Sequence, residues 1–242
     1  MNRCFTAFFA LLMPCAPLAV SAQPPVTLAT DGAWTWFNDP RAIFKDGKLY
    51  FGYMRDGDGK SVLGVYDPQT AAAPTTLWTC NWTEKDDHNN PGLLPLQDGR
   101  MMGFYAQHGI GDNTFNYRLS TSTTPTAPAD WGAEQTYTSA ERITYTNPYQ
   151  LSAESGRIYN FFRNLNYNPT FVTPDNFGVT WSTAKILIQT GTGGAVRPYV
   201  KYNSNGTDRV DFLYTDGHPR DVDNSIYHAY YANGSLYKAD LS

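Results

Sequence analysis

Four segments of this chain repeat one pattern at a nearly constant interval, and that periodicity limits its fold more than any other feature. Asp39-Pro40-Arg41 leads to Asp46-Gly47-Lys48-Leu49-Tyr50, Asn90-Pro91-Gly92 to Asp98-Gly99-Arg100-Met101, Asn147-Pro148-Tyr149 to Ser155-Gly156-Arg157-Ile158-Tyr159, and Arg197-Pro198-Tyr199 to Asn205-Gly206. The proline-to-glycine spacing is 7, 8, 8 and 8 residues, and successive prolines lie 51, 57 and 50 residues apart. Self-similarity at that period marks an array of one supersecondary unit. In each unit a proline opens a short strand, the glycine turn closes it, and alternating aromatic and aliphatic residues follow, as in residues 49–54 and 158–162. Further strand-like runs at 61–66, 116–120 and 226–231 bring the unit to four strands, the scale of a β-propeller blade.

The expected fold class is therefore all-β, a β-propeller of four-stranded blades beginning near residues 38, 88, 146 and 196. Composition agrees: 15% aromatic and 17% charged residues with 20 Gly and 16 Pro suit a turn-rich β protein. The first 22 residues read as a secretory signal, with Arg3, an apolar stretch at 5–13 and the small-residue site Val20-Ser21-Ala22, so a secreted or periplasmic location is expected. The propeller domain then covers 23–242, and Cys80 alone remains of three cysteines, which excludes an internal disulfide. At about 52 residues per unit the 220 residues after the signal supply about four blades, few for a propeller with a polysaccharide-processing cleft, and a truncated ring is the expectation. Without Arg3, 17 basic side chains face 22 acidic ones, which excludes a nucleic-acid-wrapping surface. After residue 22 no apolar run approaches the roughly 20 residues of a membrane helix. A monomer is expected.

In a propeller the inner strands all start at one face, so residues at equivalent positions converge around the central funnel. The position after the repeated proline holds Arg41, Gly92, Tyr149 and Tyr199, with His88 just before, and the ends of the second strands carry Arg55, His108, Arg163 and His218. Removing the proton beside a uronate carboxylate needs a cation on that carboxylate, a base, and an acid for the departing oxygen. Arg can fork a carboxylate, neutral His can accept a proton near neutral pH, and Tyr can act as acid or base. Plainer roles stand beside these. His88 could brace its loop through Asp86 and Asp87, His108 could be a satisfied strand-end histidine, Tyr149 and Tyr199 could be packing aromatics, and Arg163 could pair with a carboxylate.

Trp36-Phe37-Asn38-Asp39-Pro40-Arg41-Ala42, Asp87-His88-Asn89-Asn90-Pro91, Phe104-Tyr105-Ala106-Gln107-His108, Asn147-Pro148-Tyr149 and Arg197-Pro198-Tyr199 resemble the BNR-repeat propeller proteins that include secreted bacterial ulvan lyases. The resemblance runs over roughly residues 30–235, and the two histidines 20 residues apart are its most specific part. It implies a seven-bladed propeller, β-elimination at a uronic acid of a polysaccharide, and catalytic residues falling by motif on His88, His108, Tyr149 and Arg163, with Tyr199 as a further tyrosine. On this reading Tyr149 exchanges protons with substrate, the histidines act as base or polarise the uronate, and Arg163 neutralises its carboxylate. Tyr199, Arg41, Asn90 and Arg197 are the substrate-binding candidates.

Two other functions stay open. Pro174-Asp175-Asn176-Phe177-Gly178-Val179-Thr180-Trp181 resembles a degenerate Asp-box turn, so a sialidase-like glycoside hydrolase is one alternative, although the rim is poor in the carboxyl pairs that hydrolysis needs. The motif itself reads as structural, a tight turn with Trp181 packed between blades. A non-catalytic glycan-binding propeller, using Trp34, Trp36 and tyrosines as stacking platforms, is the other. No catalytic cofactor is expected. Some relatives carry a structural zinc, but His218 and His228 have no thiolate beside them, and neither zinc nor calcium finds a ligand set in the sequence.

Overall fold

A computed structural model describes residues 24–33, 35–108, 112–191 and 196–238. The signal segment and Trp34 lie outside the described residues. The described residues form four antiparallel sheets in sequence order and one two-stranded ribbon. The first sheet comprises Gly32–Ala33, Ala42–Lys45, Lys48–Arg55, Lys60–Tyr66 and Thr75–Thr79, and the second Gly92–Pro95, Met101–Tyr105, Thr114–Leu119 and Gln135–Thr138. The third contains Thr144–Leu151, Arg157–Arg163, Pro169–Val172 and Lys185–Ile186, and the fourth Val200–Ser204, Arg209–Thr215, Ile226–Ala232 and Ser235–Lys238. Among the described residues no helix is long and apolar enough to cross a membrane.

Each glycine of the repeat sits at the turn between the first two long strands of its sheet. Gly47, Gly99, Gly156 and Gly206 have φ of 75°, 88°, 74° and 69°, the left-handed conformation that a side chain disfavours. The prolines explain the other half of the pattern. A Cβ on Gly52 would meet the Pro91 ring at 3.0 Å, and one on Gly92 would meet Pro148 Cδ at 2.8 Å and the Thr146 carbonyl at 2.7 Å. Each of these two rings is thus wedged against backbone of the preceding sheet. One departure from the expected pattern occurs in the third sheet. There Pro148 lies inside a strand beginning at Thr144, because the pairing with Arg157–Arg163 slips between Thr144 and Asn147 in a β-bulge.

The core lies between sheets. Tyr50, Leu63, Val65 and Leu77 of the first meet Leu93, Met101 and Tyr105 of the second. Leu94, Met102, Phe104 and Phe115 of the second meet Ile158, Phe162 and Val172 of the third. Tyr159 and Phe161 of the third meet Val210, Phe212 and Tyr231 of the fourth. The Asp-box-like segment forms the ribbon Pro174–Asp175 with Thr180–Trp181. Trp181 packs on the cluster between the second and third sheets and donates its indole N–H to Tyr117 Oη at 3.2 Å, while that hydroxyl donates to the Gly178 carbonyl at 2.7 Å.

Polar ties join the inner ends of the sheets to the loop before Pro40. Buried Asn38 donates to the His88 carbonyl at 2.7 Å and accepts from the Thr146 N–H at 2.7 Å, and Asn147 Oδ1 accepts from the Asp39 N–H at 3.0 Å. Because the Gly92 contacts are with a backbone carbonyl and a proline ring that cannot swing aside, Gly92→Ala should destabilise the fold by about 1–3 kcal/mol. Chemical denaturation would show a lower midpoint with unchanged slope.

Candidate active site

A single carboxylate organises the histidine pair. Asp86 caps the short 3-10 turn Asp87–Asn89, accepting from the His88 backbone N–H at 3.0 Å. Its Oδ1 lies 2.5 Å from His88 Nδ1 and its Oδ2 lies 2.7 Å from His108 Nδ1. The two imidazoles stack at 4.1 Å with an interplanar angle of 18°. Asp87 adds a second carboxylate 3.1 Å from His88 Nδ1. His108 follows the strand Met101–Tyr105, and its backbone is pinned on both sides. Its N–H donates to Glu84 Oε2 at 3.0 Å, and its carbonyl accepts from Arg142 Nη2. Burial works against the charge of Asp86, but hydrogen bonds from the His88 backbone and the two imidazoles outweigh it and hold the carboxyl below its usual range. Burial likewise pushes the His108 pKa down, opposed by Asp86 and reinforced by the nearby charges of His88 and Arg163.

Facing the pair is Tyr145 on the bulge of the third sheet. Its φ of 72° is rare for an aromatic residue, and the bulge turns its ring to within 5.7 Å of the His88 ring and 6.1 Å of the His108 ring. Burial raises the Tyr145 pKa, with Arg163 opposing and Tyr199 and Asp86 adding to the rise, so the phenol is held protonated. Arg163 ends the strand Arg157–Arg163. Its guanidinium lies 4.9 Å from the Tyr145 ring and 5.9 Å from the Tyr167 ring, and its nitrogens reach Tyr145 Oη at 3.5 Å and Thr144 Oγ1 at 3.4 Å. Arg163 is 9% exposed, and among the described residues no carboxylate comes within 4.0 Å of it. Its close contacts among the described residues are hydroxyls and ring faces, a setting able to receive an anion.

A row of rings continues the wall. Phe37 stacks on His88 at 5.2 Å, on Tyr145 at 4.7 Å and on Tyr199 at 5.1 Å, and Tyr199 meets His218 edge-on at 5.3 Å. Tyr145, Arg163, Tyr199 and Phe37 line one cavity. Arg197 lies at its margin, 5.7 Å from the Tyr167 ring and 3.7 Å from Asp221. Of the residues expected at the site, His88, His108, Arg163 and Tyr199 come together, with Arg197 beside them.

Three others do not join them. Tyr149 packs on Phe161 at 6.2 Å and lines a separate cavity with Asp39, Gln97 and Gln150, where burial, with Asp39 adding, raises its pKa. Strand alternation places 145, 147 and 149 on one face, and the bulge breaks that alternation, so Tyr145 takes the position expected of Tyr149. Asn90 is 1% exposed, and its Oδ1 accepts from Asn38 Nδ2 at 3.3 Å and from the Thr35 N–H at 3.4 Å, so it ties loops together away from the cavity wall. Arg41 donates to the Thr35 carbonyl, lies 3.8 Å from Asp39, and lines a cavity of the first sheet with Phe51 and Tyr53. Sequence reasoning missed Tyr145, Phe37 and Tyr167. Phe37 alone carried a signal, as part of the Trp36-Phe37-Asn38 segment.

Asp86, His88 and His108 also form a grouping of metal-ligating side chains, with donor atoms within 4.8 Å of one another. The Nδ1 atoms sit at hydrogen-bond distance from the carboxylate, and the three residues satisfy one another. His228 pairs with Asp211 at 2.8 Å, and His218 Nδ1 lies 4.0 Å from Asp221.

The fold has counterparts among solved structures. An ulvan lyase described as a polysaccharide lyase bound to -[GlcA(1-4)Rha3S]- superposes with a TM-score of 0.64 at 16% identity, over 87% of this chain and 56% of that one. The polysaccharide lyase Uly1 gives 0.52 at 15% identity over 88% and 55%, and the Bacillus subtilis arabinanase Arb43A gives 0.51 at 15% identity over 87% and 78%. These likenesses establish the propeller-like fold of carbohydrate-active enzymes, and the chain spans a little over half the length of the two lyases. A search of curated proteins finds no match. The sequence model described as BNR repeat-containing family member matches residues 48–240, most of the chain, and the protein belongs to that family.

Proposed function

We propose that this protein is an exported polysaccharide lyase that cleaves a uronate-containing chain by β-elimination. The observation that carries the reading is Arg163, a buried guanidinium with no carboxylate within 4.0 Å among the described residues, set next to a protonated tyrosine and a histidine pair. A uronate carboxylate on Arg163 would have its adjacent C5–H acidified by charge neutralisation. A neutral imidazole of the pair takes the C5 proton. The electrons of that bond form the C4–C5 double bond, the C4–O bond breaks, and the Tyr145 hydroxyl protonates the departing oxygen. The ring wall of Phe37 and Tyr199 offers a stacking surface for sugars. The glucuronate unit bound by the similar ulvan lyase supports uronate as the substrate class.

The direct test is incubation with ulvan and other uronate polymers while following the ultraviolet absorbance of the unsaturated uronide, which elimination alone produces. New reducing ends without that absorbance would indicate hydrolysis, and binding with neither signal a glycan-binding module. Tyr145→Phe should lower kcat by about 10²–10⁴-fold, while Tyr149→Phe should leave it within a few-fold, and equal losses would overturn the assignment of the proton donor. Because burial depresses the His108 pKa, its base form persists to lower pH than that of an ordinary histidine. The acid limb of kcat/KM should therefore fall below the usual value of about 6.5, measured over a pH series.

A further inference from the structure

We infer that Asp86 is a positioning residue that fixes the proton of both imidazoles on Nδ1, leaving Nε2 of each ring as the proton-accepting nitrogen. The inference deepens the lyase reading and rests on it for its kinetic consequence, but its structural content stands apart from any substrate. An ionised carboxylate only accepts hydrogen bonds, and here each of its two oxygens takes one Nδ1, at 2.5 and 2.7 Å. Both rings must therefore donate from Nδ1. The carboxylate is itself held, since Oδ1 caps the turn at the His88 N–H and the Asp86 N–H donates to the Glu84 carbonyl at 2.9 Å. One anion orienting two stacked rings also sets their shared charge, because two imidazolium ions at 4.1 Å would repel across a single compensating carboxylate. The other groups facing the pair are Asp87 and Tyr145 against His88, and Arg163, Glu84, Arg142 and Tyr145 against His108.

Asp86→Asn separates this role from simple support. The amide keeps the shape of the carboxylate but offers one accepting oxygen and one donating nitrogen, so one ring must present a lone pair at Nδ1 and move its proton to Nε2. Long-range proton–nitrogen correlation spectra of the ligand-free protein distinguish the tautomers, and four histidines keep the spectrum assignable. The expected result is Nδ1–H on both His88 and His108 in the unsubstituted protein and an Nε2–H form on one of them in Asp86→Asn. With a uronate polymer, kcat should fall by about 10²–10⁴-fold with KM within about threefold, as expected when a base presents the wrong tautomer. The acid limb should also move to lower pH, since the imidazolium forms lose their anionic partner. Nε2–H on both rings of the unsubstituted protein, or unchanged tautomers in Asp86→Asn, would overturn the inference. If Asp86→Asn fails to fold, the unsubstituted spectrum alone decides. If no uronate polymer is cleaved, the lyase reading fails while the tautomer result still stands or falls independently.

Discussion

The geometry of this molecule depends on contact between backbone and proline at the inner ends of its sheets. Among the described residues neighbouring sheets share no strand ladder, and backbone bonds cross between them only at single points such as Leu93 N–H to the Pro40 carbonyl at 2.7 Å and Ala153 N–H to the Thr207 carbonyl at 2.8 Å. The apolar clusters that fill the space between sheets are non-directional and would tolerate rotation. Pro91 against Gly52 and Pro148 against Gly92 hold the first three sheets at close approach, and the Asn38 and Asn147 amides add directional bonds across them. Those amides are buried, so breaking any of them leaves an unpaired polar group. The same short loop carries Phe37, touches His88 and Thr146, and so places the two halves of the candidate site relative to one another.

That dependence explains which features could be read from the sequence. Proline and glycine act through local sterics, so the repeat and its turns were legible, as were the strands they bound. The His88 and His108 pair was legible because both residues end segments that the repeat itself places at one rim. Tyr145 was not, because a bulge is a pairing event between two strands and leaves no mark in the residues of one. Asn90 and Arg41 occupy repeat-equivalent positions, but equivalence fixes only where a backbone lies. Whether a side chain then faces solvent or crosses to a neighbouring loop depends on Thr35 and Asn38, whose positions no period predicts. Asp86 was visible as a neighbour of His88, while its service to a histidine 22 residues away required the fold.

The site is electrostatically divided in a way the net charge of −4 conceals. Glu84, Asp86 and Asp87 gather behind the histidines, and Arg163 and Arg197 stand on the other side of the aromatic wall. Asp86 holds the two imidazoles in place, whereas Arg163 has no carboxylate within 4.0 Å among the described residues and Arg197 stands 3.7 Å from Asp221.

The bulge at Thr144–Asn147 also bears on how such a protein can change by duplication. Every repeat carries the glycine turn, and the second and third carry the proline wedge as well. Among the described residues the third sheet alone has a left-handed tyrosine near the start of its inner strand, and the His88–His108 pair flanks the first two strands of the second. Units like the first and fourth would add sheets without adding the histidine pair or this tyrosine, so the number of sheets and the make-up of the candidate site can vary independently.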